Sequence, residues 1–85
     1  MTTFETVRMV LGDALQLGVR AQAMTAASAL LGALPELDSM AVVNLIVALE
    51  DHFGFTVADD EVSAETFATL GSLCAFVEQK LATLA

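Results

Sequence analysis

Few side chains in this sequence could carry chemistry, and the most informative of them is a serine. Ser39 follows Asp38 and opens the apolar stretch Met40 to Leu49, so its hydroxyl is expected at the start of an amphipathic helix. Amides at a helix start lack intrahelical partners and lie at the positive end of the dipole, which favours a phosphate group there. The position therefore suits a phosphate ester on the serine oxygen. The alternative is that Ser39 only caps the helix, a role worth about 1 kcal/mol.

A nucleophilic serine of the hydrolase type is disfavoured. The single histidine, His52, lies thirteen residues further along the same predicted helix, which is about 20 Å at 1.5 Å per residue. A Ser-His-acid triad is thereby excluded unless a second chain contributes. We expect no catalytic residue, and we interpret His52 as a partly exposed residue at a helix end.

Metal binding and thiol chemistry have equally little support. The acidic residues Asp59, Asp60, Glu61 and Glu65 lack EF-hand spacing, so we interpret them as the solvated start of a short helix and expect no metal site. The single cysteine excludes an intramolecular disulfide and a Cys-cluster zinc site. Because Cys74 falls on the apolar stripe of the last predicted helix, we expect a buried, unreactive thiol.

Composition predicts one small helical domain covering residues 1–85. Of the 85 residues, 56% are hydrophobic, and Ala, Leu and Val dominate. The formal charge is −8, and residues 36–65 contain eight acids and no Lys or Arg. Such a surface repels nucleic acid and anionic membranes and attracts basic protein patches, although acids also keep an apolar domain in solution. With no long apolar span, no signal peptide and one cysteine, we expect a cytoplasmic protein without a transmembrane segment.

Helical spacing predicts the elements that position these residues. A first helix runs from about Thr3 to Leu17, after a capping box at Thr2 and Glu5, and stops near Gly18. Val19 to Leu37 is ambiguous, because it is rich in Ala but lacks a clear apolar stripe and contains Pro35.

Three further helices are predicted in the second half of the chain. One starts at Asp38 or Ser39 and ends at His52 or Phe53, before Gly54. A helix of one or two turns lies within Asp59 to Thr66, and a last helix follows a Thr69 cap. The predicted fold class is all-α, a small four-helix bundle of three longer helices and one short helix.

The helix after Ser39 has two apolar faces. At 100° per residue, a core face gathers Val42, Leu45, Ile46, Leu49 and Phe53. The opposite face gathers Met40, Val43, Asn44, Val47 and Asp51, and it is more apolar than solvation requires. We interpret this opposite face as a contact surface for a partner. The alternative is a helix buried on all sides in the middle of the bundle.

The order of these features resembles the acyl carrier protein family. The resemblance lies in Leu34-Pro35-Glu36-Leu37-Asp38-Ser39-Met40 and in Leu45 to Gly54, and it extends over roughly residues 31–77. It implies a long ordered loop between the first and second helices, and a non-enzymatic protein that carries acyl groups as thioesters. It also implies that Ser39 bears a covalent 4′-phosphopantetheine arm, and that Asp38 is read by the phosphopantetheinyl transferase.

The resemblance further implies a recognition surface on the second helix, formed by Met40, Val43, Asn44, Val47, Glu50 and Asp51. Its partners would be the transferase and an acyl ligase, synthase or acyltransferase with basic patches, and we expect the carrier to be a monomer. Cargo and pathway, whether fatty acid or polyketide, are left open.

The sequence also departs from the family pattern. Glu36 stands where the family often has Gly, Met40 where it usually has Leu, and Ala41 and Asn44 where fatty-acid carriers usually have acids. Because fewer acids weaken steering towards basic enzymes, a specialised carrier is favoured over a housekeeping one. Two alternatives stay open, a peptidyl or aminoacyl carrier with the same arm, and an unmodified acidic helical adaptor.

Overall fold

Three long helices and two short helical elements build the fold. The computed structural model describes residues 2–84. It contains α1 (Thr3–Leu15), α2 (Val19–Gln22), α3 (Ser39–Phe53), a 3₁₀ turn (Asp59–Glu61) and α4 (Leu70–Leu84). The predicted all-α class is confirmed, and among the described residues extended pairing is limited to a bridge between Ala29 and Thr69. None of the described helices is long and apolar enough to cross a membrane.

Helix α1 begins as predicted and ends two residues early. The Glu5 N–H donates to the Thr2 hydroxyl at 3.1 Å, while the Thr2 N–H donates to the Glu5 carboxylate at 3.2 Å, forming the capping box. The predicted end at Leu17 is wrong, because Gln16 adopts a left-handed conformation with φ 56° and stops the helix after Leu15. A glutamine gives no sequence signal for this conformation, whereas Gly18 does, so the sequence predicts the stop near Gly18.

The core forms around α1, which packs against α2, α3 and α4. Each long helix contributes side chains that are almost completely removed from solvent. These are Val7 and Leu11 from α1, Leu45 and Leu49 from α3, and Leu70, Leu73 and Val77 from α4. The loop before α3 adds Leu30 and Leu37, so it is part of the core rather than an outside connection.

The long loop is held in place by hydrogen bonds to the first residues of α4 and to the residues just before it. Leu30 and Leu31 donate their N–H groups to the carbonyls of Ala68 and Phe67, at 2.9 and 3.0 Å. In return, the Gly71 N–H donates to the Ala26 carbonyl at 2.9 Å. A Cβ at Gly71 would lie 2.8 Å from that carbonyl oxygen, so only glycine allows this approach. The ambiguous segment is thus an ordered loop that contains the short helix α2.

The short helix of one or two turns predicted within Asp59 to Thr66 is a single 3₁₀ turn, Asp59–Glu61. Its last residue, Glu61, satisfies neighbouring groups, since its carboxylate accepts from the Ala58 N–H at 2.8 Å and from Lys80 Nζ at 2.8 Å. The predicted cap of the last helix is confirmed. The Ser72 N–H donates to the Thr69 hydroxyl at 3.0 Å, and the Thr69 N–H donates back to the Ser72 hydroxyl.

Candidate functional site

Ser39 is the first residue of α3, and the residue before it caps the helix. Asp38 has the extended backbone typical of an N-cap, and its Oδ1 accepts from the Ala41 N–H at 2.8 Å. The Asp38 carbonyl accepts the first backbone bond of the helix, from the Val42 N–H at 2.9 Å. The interpretation of Ser39 as the cap is therefore wrong, because Asp38 performs that function.

The hydroxyl of Ser39 is left available by this arrangement. Ser39 is exposed, and its hydroxyl forms no hydrogen bond within residues 2–84. The N–H groups of Ser39 and Met40 also lack acceptors within that part of the chain. A phosphodiester on the serine oxygen would therefore meet free amides at the positive end of a helix dipole. These residues fit a phosphate-linked prosthetic group.

The other candidate groups form no catalytic centre with Ser39. His52 is exposed at the far end of α3, where its ring lies edge-on to Phe53 at 5.1 Å. Cys74 is buried on α4, and burial, followed by the neighbouring Glu78 carboxylate, raises the pKa of its thiol above the ordinary value. Among residues 2–84, no His, Cys, Asp and Glu side chains cluster in a way that could hold a metal ion.

Helix α3 presents two distinct faces. Leu45 and Leu49 are buried at 0% and 1% exposure, while Met40, Val43 and Val47 are 68%, 54% and 48% exposed. Val42, Ile46 and Phe53 are half-buried against the core, and Asn44 and Asp51 are exposed. The alternative of a helix buried on all sides is wrong. The side chains predicted as a contact surface are therefore accessible and lie on the same helix as Ser39.

Glu50 differs from the rest of that predicted surface. It is half-buried, and its Oε2 accepts from the Val57 N–H at 2.8 Å. The carboxylate thus ties the segment after α3 to the helix, and Glu50 borders the exposed face rather than standing on it.

The sequence analysis does not predict the ion pair between Arg20 and Glu36, which lies beside the site. Arg20 of α2 donates through Nη2 to Oε2 of Glu36, three residues before Ser39. This hydrogen bond is the main reason that the pKa of Glu36 lies below its usual range, with a smaller contribution from the Glu36 backbone N–H. A signal was present, because Arg20 is the only Lys or Arg between Arg8 and Lys80.

Comparison with solved structures shows close relatives of this architecture. The chain is similar to a holo acyl carrier protein from Nitrosomonas europaea, solved by solution NMR, with 62% identity and a TM-score of 0.89 over 96% of this chain and 99% of that one. A holo acyl carrier protein from Geobacter metallireducens has a TM-score of 0.78 over 99% of this chain and 91% of that one. At 24% identity, the latter supports the fold alone.

Sequence comparison identifies the family. A curated acyl carrier protein from Exiguobacterium sp. (strain ATCC BAA-1283 / AT1b) is 41% identical over 44 residues, which are 52% of this chain and 53% of that protein. The chain thus spans about half the length of that relative. The model of the phosphopantetheine attachment site family matches residues 5–77. The chain therefore belongs to this family of non-enzymatic carrier proteins, whose prosthetic group is covalently attached 4′-phosphopantetheine.

Proposed function

We propose that this chain is an acyl carrier protein whose 4′-phosphopantetheine arm is attached to Ser39. The observation that carries the proposal is the exposed Ser39 hydroxyl, which forms no hydrogen bond within residues 2–84. It lies on the first residue of α3, directly after the helix cap supplied by Asp38. The matched family and the relatives that are acyl carrier proteins support the same reading and favour acyl over peptidyl cargo. When bound, the arm supplies a terminal thiol that holds acyl groups as thioesters.

Ser39, its neighbours Asp38 and Met40, and their backbone amides have distinct roles in this proposal. Ser39 would provide the oxygen that is esterified, and its proton would pass to the transferase. The pyrophosphate bond of coenzyme A would break, and adenosine 3′,5′-bisphosphate would leave. Asp38 commits one carboxylate oxygen to the Ala41 N–H, which leaves Oδ2 for a donor on the transferase. The free N–H groups of Ser39 and Met40 then stabilise the negative charge of the phosphodiester.

We further propose that α3 presents the loaded arm to partner enzymes. The docking surface is the exposed face formed by Met40, Val43, Asn44, Val47 and Asp51, bordered by Glu50. Three large apolar side chains exposed on one helix face, flanked by carboxylates, suit a partner with an apolar patch and a basic rim. Such partners are the phosphopantetheinyl transferase and an acyl ligase, synthase or acyltransferase. We expect a cytoplasmic monomer, consistent with one buried thiol and no other cysteine.

Intact mass after incubation with coenzyme A and a broad-specificity phosphopantetheinyl transferase tests the attachment site. We expect a gain of about 340 Da in the wild type and none in Ser39→Ala. The matched control is Ser63→Ala, which removes another exposed serine hydroxyl and should keep the gain. An unmodified wild-type chain, or a modified Ser39→Ala variant, would overturn the proposal.

The docking surface is tested with two matched charge insertions. Val47 on α3 and Val19 on α2 are both exposed valines, at 48% and 79%. We expect Val47→Asp to lower the kcat/KM of the transferase reaction about tenfold, while Val19→Asp leaves it within twofold of the wild type. Equal effects of both substitutions would refute α3 as the docking surface.

A further inference from the structure

The ion pair between Arg20 and Glu36 lies close to Ser39 in the sequence, and the proposed function gives it no role. Glu36 is 31% exposed and Arg20 is 56% exposed, so the carboxylate is the more sheltered partner. Oε2 of Glu36 accepts from Arg20, while its Oε1 is shielded from solvent and accepts no well-formed hydrogen bond within residues 2–84. Among residues 2–84, Arg20 is the one cation that is hydrogen-bonded to this carboxylate, so removing Arg20 would leave the Glu36 side chain free to move.

Glu36 lies two residues before the helix cap and three before the serine. Between them, Leu37 is buried at 5% exposure and donates its N–H to the Leu34 carbonyl at 3.0 Å. Since consecutive Cα atoms are about 3.8 Å apart, a fixed Glu36 and a buried Leu37 leave little freedom for the backbone entering α3. The ion pair thus connects α2 to the segment that places Asp38 and Ser39.

The other two cations of the chain act elsewhere. Arg8 lies over the Phe4 ring at 5.4 Å and donates to the carbonyls of Gln22 and Met24 at 3.4 and 3.5 Å. Lys80 pairs with Glu61. Among residues 2–84, Arg20 is therefore the one Lys or Arg side chain that is hydrogen-bonded to residues 34–38, the part of the loop next to Ser39.

We propose that the Arg20–Glu36 ion pair is a positioning element for the modification of Ser39. It holds residues 34–38 in the conformation that presents the serine hydroxyl to the transferase in one orientation. The inference rests on the proposed attachment at Ser39. An exposed ion pair adds little to global stability, but orienting a reacting group acts directly on the reaction rate. The pair should therefore affect modification far more than folding.

Enzyme kinetics with coenzyme A and the transferase separate this role from a general charge effect. We expect Arg20→Gln and Glu36→Gln each to lower kcat/KM about tenfold. The charge-swapped double variant, Arg20→Glu with Glu36→Arg, keeps the net charge and should return to within about threefold of the wild type. The control Glu65→Gln removes one exposed acid elsewhere and should leave kcat/KM unchanged.

Hydrogen exchange of the Leu34 and Leu37 amides provides the structural readout, since both donate within this loop. Faster exchange together with slower modification in Glu36→Gln, both reversed in the charge swap, supports positioning. Slower modification with unchanged loop exchange would mean direct contact with the transferase and would overturn it, as would unchanged modification. If the wild type is not modified at Ser39, the proposed function fails first, so the two failures are distinguishable.

Discussion

Asp38 is assigned two roles that a short series of substitutions can separate. In the structure it caps α3 through the Oδ1 contact with the Ala41 N–H at 2.8 Å, and in the proposed function its charge is read by the transferase. Asp38→Asn keeps a capping side chain but removes the charge, whereas Asp38→Ala removes both. If both roles are real, the two variants should differ in stability and agree in their modification defect.

The expected magnitude follows from the single hydrogen bond that is lost. Replacing an N-cap Asp by Ala costs about 1 kcal/mol, within a range of about 0.5–2 kcal/mol, and Asn caps about as well as Asp. In a domain of this size, 1 kcal/mol lowers the Tm by about 4–8 °C. A domain of 85 residues has roughly 4–13 kcal/mol of stability, so Asp38→Ala should remain folded at 25 °C.

Thermal unfolding followed by circular dichroism at 222 nm measures the cap, and intact mass over time measures modification. We expect Asp38→Asn to melt within about 2 °C of the wild type and Asp38→Ala to melt about 4–8 °C lower. Both should be modified more slowly than the wild type. An Asp38→Ala variant with unchanged Tm would refute the cap, and an Asp38→Asn variant modified at the wild-type rate would refute recognition of the charge.

Three further predictions concern packing. Leu49→Ala should cost about 2–5 kcal/mol in urea unfolding, because Leu49 is 1% exposed, whereas Val47→Ala on the exposed face should cost under about 0.5 kcal/mol; equal costs would contradict the two-faced helix. Gly71→Ala should cost about 1–3 kcal/mol, since the new Cβ would lie 2.8 Å from the Ala26 carbonyl oxygen; an unchanged urea midpoint would refute this. In the unmodified protein at pH 8, Cys74 should react with a disulfide reagent only after unfolding, because burial raises the pKa of its thiol; rapid native-state labelling would refute this.

The local elements could be predicted because their signals lie within a few residues of one another. The capping box at Thr2 and Glu5, the start of α3 at Ser39 and its stop at Gly54 all appear as expected. The apolar spacing of α3 also separated buried from exposed positions correctly. These features depend on helical period and cap chemistry, which neighbouring residues determine.

The features that could not be predicted depend on contacts between distant segments. The loop before α3 is ordered by Leu30 and Leu31, whose partners lie more than thirty residues away at Ala68 and Phe67. Glu36 could be identified only as a departure from the family pattern, because its pairing with Arg20 requires α2 and the loop to be folded together. The periodic spacing of apolar residues contains no information about contacts between distant residues. The scarcity of Lys and Arg draws attention to Arg20, but it does not indicate which acid pairs with it.

The exposed face of α3 has no explanation in the stability of the chain itself. A domain of 85 residues buries a limited share of its surface, yet Met40, Val43 and Val47 of this domain remain about half or more exposed. Three large apolar side chains next to one another on a single helix face would be costly to leave in water without a partner. Because they begin one residue after Ser39, a transferase that modifies this serine, as we propose, should also contact this face. If the proposed function holds, modification and partner recognition share α3, and substitutions on its outward side should change both without changing the core.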